Sequence, residues 1–261
     1  MMKKISIVLT ILFAISFAAH AQTVGSANVM GYTKVSKPAG GLQLMAVAWE
    51  DSPLTDLITT SQFYGHYNIG DADTIITWDA ESQGYVKYAL FSTVPAGGDI
   101  TEWRSFTNFY GTAVNPTLEA GSAIWIKSPS APGDTNILTS GNVTLDQSVT
   151  NLIVSGLQML AYPFSAKATL NEMAFIESGA KGHYNIGSAD TIITWDAESQ
   201  GYVKYALFST VPAGGDITEW RSFTNFYGSA VNPTLDLGSG FWYKTQTNFS
   251  WVATNNYFHK L

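Results

Sequence analysis

The sequence predicts a mainly β protein made of two tandem, nearly identical small antiparallel β-domains, each with a short helix. Three observations lead to this prediction. Residues 65–127 and 182–244 align without a gap, and only seven of the 63 aligned positions differ. Aromatic residues reach 13%, charged residues are equally few, and Gly, Ser, Thr and Asn are frequent, as in β-rich chains with many turns. The chain has no cysteine, so we expect burial alone to hold each domain together.

The first 21 residues have the pattern of a secretory signal peptide. Two lysines, Lys3 and Lys4, precede an apolar run, and Ala19-His20-Ala21 forms a small-residue cleavage pattern before Gln22. The apolar run of about 14 residues is shorter than the roughly 20 needed to cross a membrane, which disfavours a transmembrane anchor. We therefore expect an exported protein in the periplasm, at the cell surface or outside the cell.

The repeat divides the remaining chain into two domains. A weaker similarity, Gly41-Leu42-Gln43 against Gly156-Leu157-Gln158, extends each copy toward its N-terminus. We expect β-module copy 1 over residues 22–128, a turn-rich linker over 129–139 and copy 2 over 140–261. The segment Asn248–Thr254 is expected to add a C-terminal strand to copy 2.

Alternation and turn residues predict five or six strands and one short helix per copy. A helical turn is expected over Leu54–Thr60, with Pro53 at an early helical position. Within the strand Tyr85–Phe91, the side chains of Val86, Tyr88 and Leu90 share the face expected to be core. The strands predicted for copy 1 are Val29–Val35, Leu42–Trp49, Thr74–Trp78, Tyr85–Phe91, Trp103–Tyr110 and Ser122–Lys127.

Three landmarks occur in both copies. Each copy opens on a glycine and an apolar strand (GLQLMAVAW, GLQMLAYPF), has the middle TIITWDAESQGYVKY, and closes on an aromatic strand (LEAGSAIWIKS, LDLGSGFWYKT). This pattern resembles a small β-module of exported bacterial and archaeal surface proteins, with a "GWNLIS-x-P"-type opening and an "L-x-x-G-x-G-Y/F-W" close. Copy 1 departs from it at Ala48 and Ala123. The resemblance implies an envelope or secreted protein and supplies no catalytic residues.

The sequence predicts a protein that is not an enzyme. His66 and His183 occupy the same position of the two copies, inside GHYN, where a turn or packing role is expected. There is no G-x-S-x-G elbow, and without cysteine thiol mechanisms are excluded. Asp71-Ala72-Asp73 resembles the start of a calcium loop, but the EF-hand spacing is missing and Ser188 replaces Asp71 in copy 2. We therefore expect no metal and no cofactor.

Aromatic residues are the stronger functional signal. Exposed Tyr and Trp rings form flat apolar platforms with polar edges, on which sugar rings can stack. Trp103 stands beside charged residues after a glycine turn, so we expect it at a loop rim, whereas Trp78 and Trp125 are expected in the core. The candidate ligand-binding residues are Tyr85, Trp103 and Arg104 in copy 1 and Tyr202, Trp220 and Arg221 in copy 2.

Three functions remain open at this point. The first is a non-catalytic secreted or envelope protein with a structural or adhesive role, which contacts a polysaccharide or a cell-surface protein. The second is a tandem carbohydrate-binding protein, and the third, a minor alternative, is a hydrolase. The formal net charge of −7 makes a nucleic-acid partner unfavourable.

The differences between the copies have a pattern of their own. Ile124 and Ile126 are Phe241 and Tyr243 in copy 2, and they alternate along the last strand, so they share one face. We expect that face to have a different neighbour in each copy. Solvent-type residues such as Lys87 and Arg104 are identical in the two copies, which a recent duplication or a bivalent binder would both explain.

Overall fold

The computed structural model describes residues 30–37, 40–93, 100–129, 135–210 and 217–256. The predicted signal peptide lies outside these residues. The chain is mainly β, as predicted, with two five-stranded antiparallel sheets. None of the described helices is long and apolar enough to cross a membrane.

The first module, as defined by its strand pairing, contains nine strands and one helical turn, α1. Its elements are β1 (Met30–Lys37), β2 (Leu42–Ala46), β3 (Ser52–Pro53), α1 (Leu54–Leu57), β4 (Thr74–Asp79), β5 (Gly84–Ser92), β6 (Thr101–Ser105), β7 (Thr117–Leu118), β8 (Ala123–Lys127) and β9 (Thr135–Asn142). Short 3₁₀ turns lie at Thr60–Gln62 and Phe106–Asn108.

The second module repeats this order. Its elements are β10 (Ser148–Ile153), β11 (Gly156–Ala161), β12 (Ala168–Thr169), α2 (Phe175–Ser178), β13 (Thr191–Asp196), β14 (Gly201–Ser209), β15 (Thr218–Ser222), β16 (Thr234–Leu235), β17 (Gly240–Thr245) and β18 (Phe249–Thr254). Its 3₁₀ turns lie at Ile186–Ser188 and Phe223–Asn225.

Each module is a sheet covered on one face by a two-stranded ribbon. The sheet orders are β2-β8-β4-β5-β6 and β11-β17-β13-β14-β15, and the ribbons are β1-β9 and β10-β18. In the first module, Val35 and Ile137 of the ribbon pack with Ile75, Leu90 and Ile124 of the sheet. Each core is therefore closed between the sheet and the ribbon of its own module.

The ribbons use chain segments at the ends of each repeat. The strand predicted over Asn248–Thr254 is present as β18 and pairs with β10. The corresponding strand of the first module, β9, pairs with β1 along its whole length. Residues 135–139 of the predicted linker therefore belong to this ribbon, while residues 130–134 lie outside the described part of the chain.

Two predicted strands are shorter in the structure. β2 ends at Ala46 instead of Trp49. Val47 still donates to the carbonyl of Ser122, but the Ser122 N–H donates to Glu119 and the Val47 carbonyl accepts from Gly121, so the regular ladder stops here. β6 ends at Ser105, whose hydroxyl lies 2.9 Å from that of Thr107 and begins a 3₁₀ turn. Local side-chain hydrogen bonds of this kind compete with a strand ladder.

Candidate functional site at the junction of the modules

The two sheets pack against each other through the faces that are turned away from the ribbons. Leu44, Ala123 and Trp125 of the first module form one apolar cluster with Met159 and Trp242 of the second. Trp125 and Trp242 are equivalent positions of the repeat, so each module offers the same surface to the other. The junction is therefore isologous, as in a twofold dimer.

Two tryptophans, one from each module, make equivalent hydrogen bonds across this junction. The indole of Trp78 donates to the carbonyl oxygen of Leu157 at 2.7 Å, and that of Trp195 donates to the carbonyl of Leu42 at 3.0 Å. Each ring lies edge-on to a tryptophan of the other module, Trp78 to Trp242 and Trp195 to Trp125, with centroids 5.0 Å apart in both pairs. Trp78 and Trp195 are thus only partly buried, and they belong to the junction rather than to either core.

Two glutamines repeat the same exchange at the hairpin tips. Gln83 and Gln200 have positive φ values of 52° and 50° in these turns, and their side chains contact the other module. Gln83 Oε1 accepts from the backbone N–H of Leu157 at 2.8 Å, and its Nε2 donates to the carbonyl of the same residue at 3.0 Å. Gln200 makes the equivalent pair with Leu42, at 3.1 and 3.2 Å. Each amide thus accepts from a backbone N–H and shares with a tryptophan indole the carbonyl of the same residue.

Tyr85 and Tyr202 lie at the edge of this junction and remain about half exposed, at 54% and 53%. The Tyr85 ring lies edge-on to Trp78 at 4.8 Å and to Trp242 at 6.1 Å, and Tyr202 has the same relation to Trp195 and Trp125, at 4.9 and 6.4 Å. Burial raises the pKa of Tyr202, and the neighbouring Tyr85 hydroxyl raises it further. We call the surface formed by Trp78, Tyr85, Trp195 and Tyr202 the junction face.

The expectation that Trp103 and Trp220 form an exposed rim is wrong. Their exposed fractions are 1% and 0%. Trp103 stands opposite Leu90 in the β5–β6 ladder and so points into the core, where Phe63 lies edge-on to it at 5.2 Å. The indole nitrogens of Trp103 and Trp220 have no hydrogen-bond partner among the described residues. Apolar packing therefore determines their position.

Arg104 and Arg221 are held within their own modules. Each guanidinium contacts the carboxylate two residues earlier, at 2.6 Å from Glu102 or Glu219. Each also lies over a phenylalanine ring, Phe91 or Phe208, at 3.6 and 3.5 Å from the centroid. Of the six candidate binding residues, only Tyr85 and Tyr202 thus present an exposed, free surface.

The other polar candidates have local partners. His66 Nδ1 accepts from the backbone N–H of Asn68 at 3.0 Å, and its ring stacks on Tyr67. Asp71 accepts from the Asn68 side chain, whereas Asp73 is fully buried beside Lys37. The two carboxylates of the calcium-like triplet thus have separate partners. Within the described ranges, no group of three His, Asp or Glu side chains could hold a metal ion.

Trp78, expected in the core, and Gln83, which no sequence pattern singled out, both belong to the junction. One signal for them exists in the sequence, because an isologous contact favours the same residue in both copies, and Trp78, Gln83 and Tyr85 are unchanged in the second copy. A recent duplication produces the same identity. No family model, curated protein or solved structure matches this chain.

Proposed function

We propose that this is a non-catalytic exported protein with an adhesive role, which binds polysaccharide through the junction face. The observation that carries the proposal is the placement of Tyr85 and Tyr202, one from each copy, at one junction. Each ring lies against tryptophans of both modules, and Tyr85 is near enough to raise the pKa of Tyr202. Two partly exposed tyrosine rings at one place offer apolar surface for sugar rings and hydroxyls for hydrogen bonds. The predicted signal peptide supports export.

The packing of the modules determines whether the duplication provides one binding site or two. Two independent sites would need modules that are free to engage separate ligands. Here the reciprocal bonds of Trp78 and Trp195 hold the modules together, and both tyrosines lie beside those bonds. The duplication therefore supports one composite site of twofold character rather than two separate sites.

The test compares two pairs of exposed tyrosines. The chain from Gln22 onward is assayed by polysaccharide array and affinity electrophoresis, together with Tyr85→Ala/Tyr202→Ala. We expect retardation by at least one polysaccharide and a loss of affinity of about tenfold or more in this variant, since each aromatic contact contributes roughly 1 kcal/mol.

The matched control is Tyr110→Ala/Tyr227→Ala, because these residues are also equivalent between the copies and are 75% and 76% exposed. It should bind like the unmodified chain. The proposal fails if no polysaccharide causes retardation, or if the control loses as much affinity as the junction variant.

A further inference from the structure

Two pairs of lysines lie on the same sheet faces as the junction tyrosines. In the first module, Lys87 stands opposite Ile76 and Lys127 stands opposite Thr74, on the two strands that flank β4. Alternation of side chains along the strands places Tyr85, Lys87 and Lys127 on one face. Lys204 and Lys244 repeat this arrangement around β13.

These four lysines carry uncompensated charge. Lys37, Lys167, Arg104 and Arg221 each have a carboxylate within 2.6 Å or less, whereas no such partner is found for Lys87, Lys127, Lys204 or Lys244 in the part of the chain that the structure describes. All four are exposed. Although the net charge of the chain is −7, both sides of the junction thus present ammonium groups that form no salt bridge with the described residues.

The neighbouring aromatic rings help to hold the lysines in place. The ammonium of Lys87 lies 5.6 Å from the ring centroid of Phe106, and that of Lys204 lies 5.6 Å from Phe223. A cation over an aromatic face is attracted by the ring without losing its charge. Lys87 and Lys204 are therefore positioned while their N–H groups stay available to a ligand.

A depression connects the first lysine pair with the second module. Lys87 and Lys127 line a small cavity of about 80 Å³ above Thr74 and Ile76. Lys127 also lines a wider depression of about 360 Å³, to which Gln200 of the second module contributes. Since Gln200 is two residues from Tyr202, this hollow lies next to the junction face and is large enough for a carboxylate-bearing sugar.

We infer that the ligand of the junction face is an acidic polysaccharide of the polyuronate class. Its sugar rings lie on Tyr85 and Tyr202, and its carboxylates contact the lysine pairs on either side. This inference rests on the proposed function and adds the charge of the ligand to it.

The experiment uses two forms of one polymer that differ only in charge, polygalacturonate and its methyl ester, in titration calorimetry with the chain from Gln22 onward. At low salt, we expect polygalacturonate to bind about tenfold more tightly than its methyl ester, because its carboxylates can form several exposed ion pairs of modest strength. The preference should largely disappear at about 0.5 M salt, where charges on the surface are screened.

The variants separate charge from stacking. Lys87→Gln/Lys204→Gln should lose the preference for polygalacturonate and still bind the methyl ester. Lys34→Gln/Lys167→Gln removes the same charge outside the lysine pairs and should keep the preference. A sulfated galactan is included to test whether any anionic group suffices, and tighter binding of it than of polygalacturonate would overturn the polyuronate assignment.

The outcomes distinguish the two proposals. Equal affinity for both polymers, with loss in Tyr85→Ala/Tyr202→Ala, would overturn the charge inference and leave the proposed function standing. Lysine-dependent binding of polygalacturonate that is unaffected in the tyrosine variant would instead contradict the tyrosine platform. Equal loss of preference in the two lysine variants would show a net-charge effect and would also overturn the inference.

Discussion

At the scale of single residues, the two copies give different partners to the same buried carboxylate. Asp73 is fully buried and accepts hydrogen bonds from Lys37 Nζ at 2.5 Å and Ser128 Oγ at 2.7 Å. The equivalent Asp190 is 1% exposed and accepts from the hydroxyl of Tyr243 at 2.9 Å. A charged partner neutralises the first carboxylate, and a neutral donor serves the second.

The first prediction follows from this contrast. Asp73→Asn leaves the ammonium of Lys37 buried without its counter-charge, which we expect to cost about 3 kcal/mol or more of unfolding free energy. Asp190→Asn removes no counter-charge and should cost clearly less. Urea unfolding at pH 7, followed by tryptophan fluorescence, measures both. Equal losses would contradict this account of the two carboxylates.

The same pair predicts a dependence on pH. Burial raises the pKa of Asp190 above its ordinary value of 3.8, although hydrogen bonds from Lys181, Thr245 and Tyr243 oppose the shift. The folded protein therefore holds this proton more tightly than the unfolded chain. Its contribution to stability is fully present below pH 3.8 and is lost as the pH rises through the raised pKa. Asp190→Asn should remove this component, and unchanged pH dependence of the urea midpoint would refute it.

At the scale of elements, the last strand of each sheet shows where the copies diverged. The alternating positions Ile124/Phe241 and Ile126/Tyr243 face the ribbon of their own module, whereas Trp125 and Trp242 face the junction. In the second module, Phe175 stacks on Tyr243 at 4.5 Å and on Trp251 of β18 at 4.3 Å. In each copy this face thus packs on the equivalent element, the ribbon of its own module, and the copies differ in the side chains that fill the core.

Exchange of residues between the copies tests this divergence. Tyr243→Ile removes the donor to Asp190 and the stack on Phe175, and leaves a cavity, so we expect a loss of about 2–4 kcal/mol. Ile126→Tyr overpacks the first core and should cost about 1–3 kcal/mol. Thr112→Ser, also a change to the residue of the other copy but at an exposed position, should stay within about 0.5 kcal/mol. Neutral behaviour of the first two variants in urea unfolding would show that the cores are interchangeable.

At the scale of the whole molecule, the junction explains one difference between the copies directly. Ala123 and Gly240 are equivalent positions that meet each other across the junction, and a Cβ atom on Gly240 would lie 2.6 Å from that of Ala123. Such a separation is far below van der Waals contact. Two alanines therefore do not fit at this point in the present packing, and one copy must carry glycine.

Gly240→Ala should accordingly destabilise the molecule by about 1–3 kcal/mol, as overpacking does in closely packed interiors. The double variant Ala123→Gly/Gly240→Ala removes the 2.6 Å contact and should regain part of that loss, because close approaches to Leu44 Cγ at 3.1 Å and to the Met45 carbonyl oxygen at 3.2 Å remain. Gly70→Ala, where the nearest atom to the new Cβ lies at 3.7 Å, is the matched control. Thermal unfolding measures all three, and a double variant as unstable as Gly240→Ala would contradict the direct contact.

Several features were predictable because they depend on local pattern. The repeat, the mainly β class and the β4–β5 hairpin follow from identity, alternation and turn residues. Of the strand face expected to be core, Leu90 is buried and Tyr88 partly buried, whereas Val86 near the hairpin is exposed. Trp103 was misplaced because its charged neighbours and the preceding glycine turn resemble a loop rim. Its register opposite Leu90, which only the paired strand provides, turns the ring inward.

The sequence by itself determined that two copies of one β-module exist, where they lie, and which strand face differs between them. Only the tertiary structure decided that the copies pack on each other, and that Tyr85 and Tyr202 lie at one junction while Trp103 and Trp220 are buried. The physical reason is that alternation assigns the side chains of a strand to two faces but does not specify which element packs against each face. Both faces of these sheets are apolar and aromatic near the junction, so a module core and a module junction have the same composition and differ only in what lies opposite.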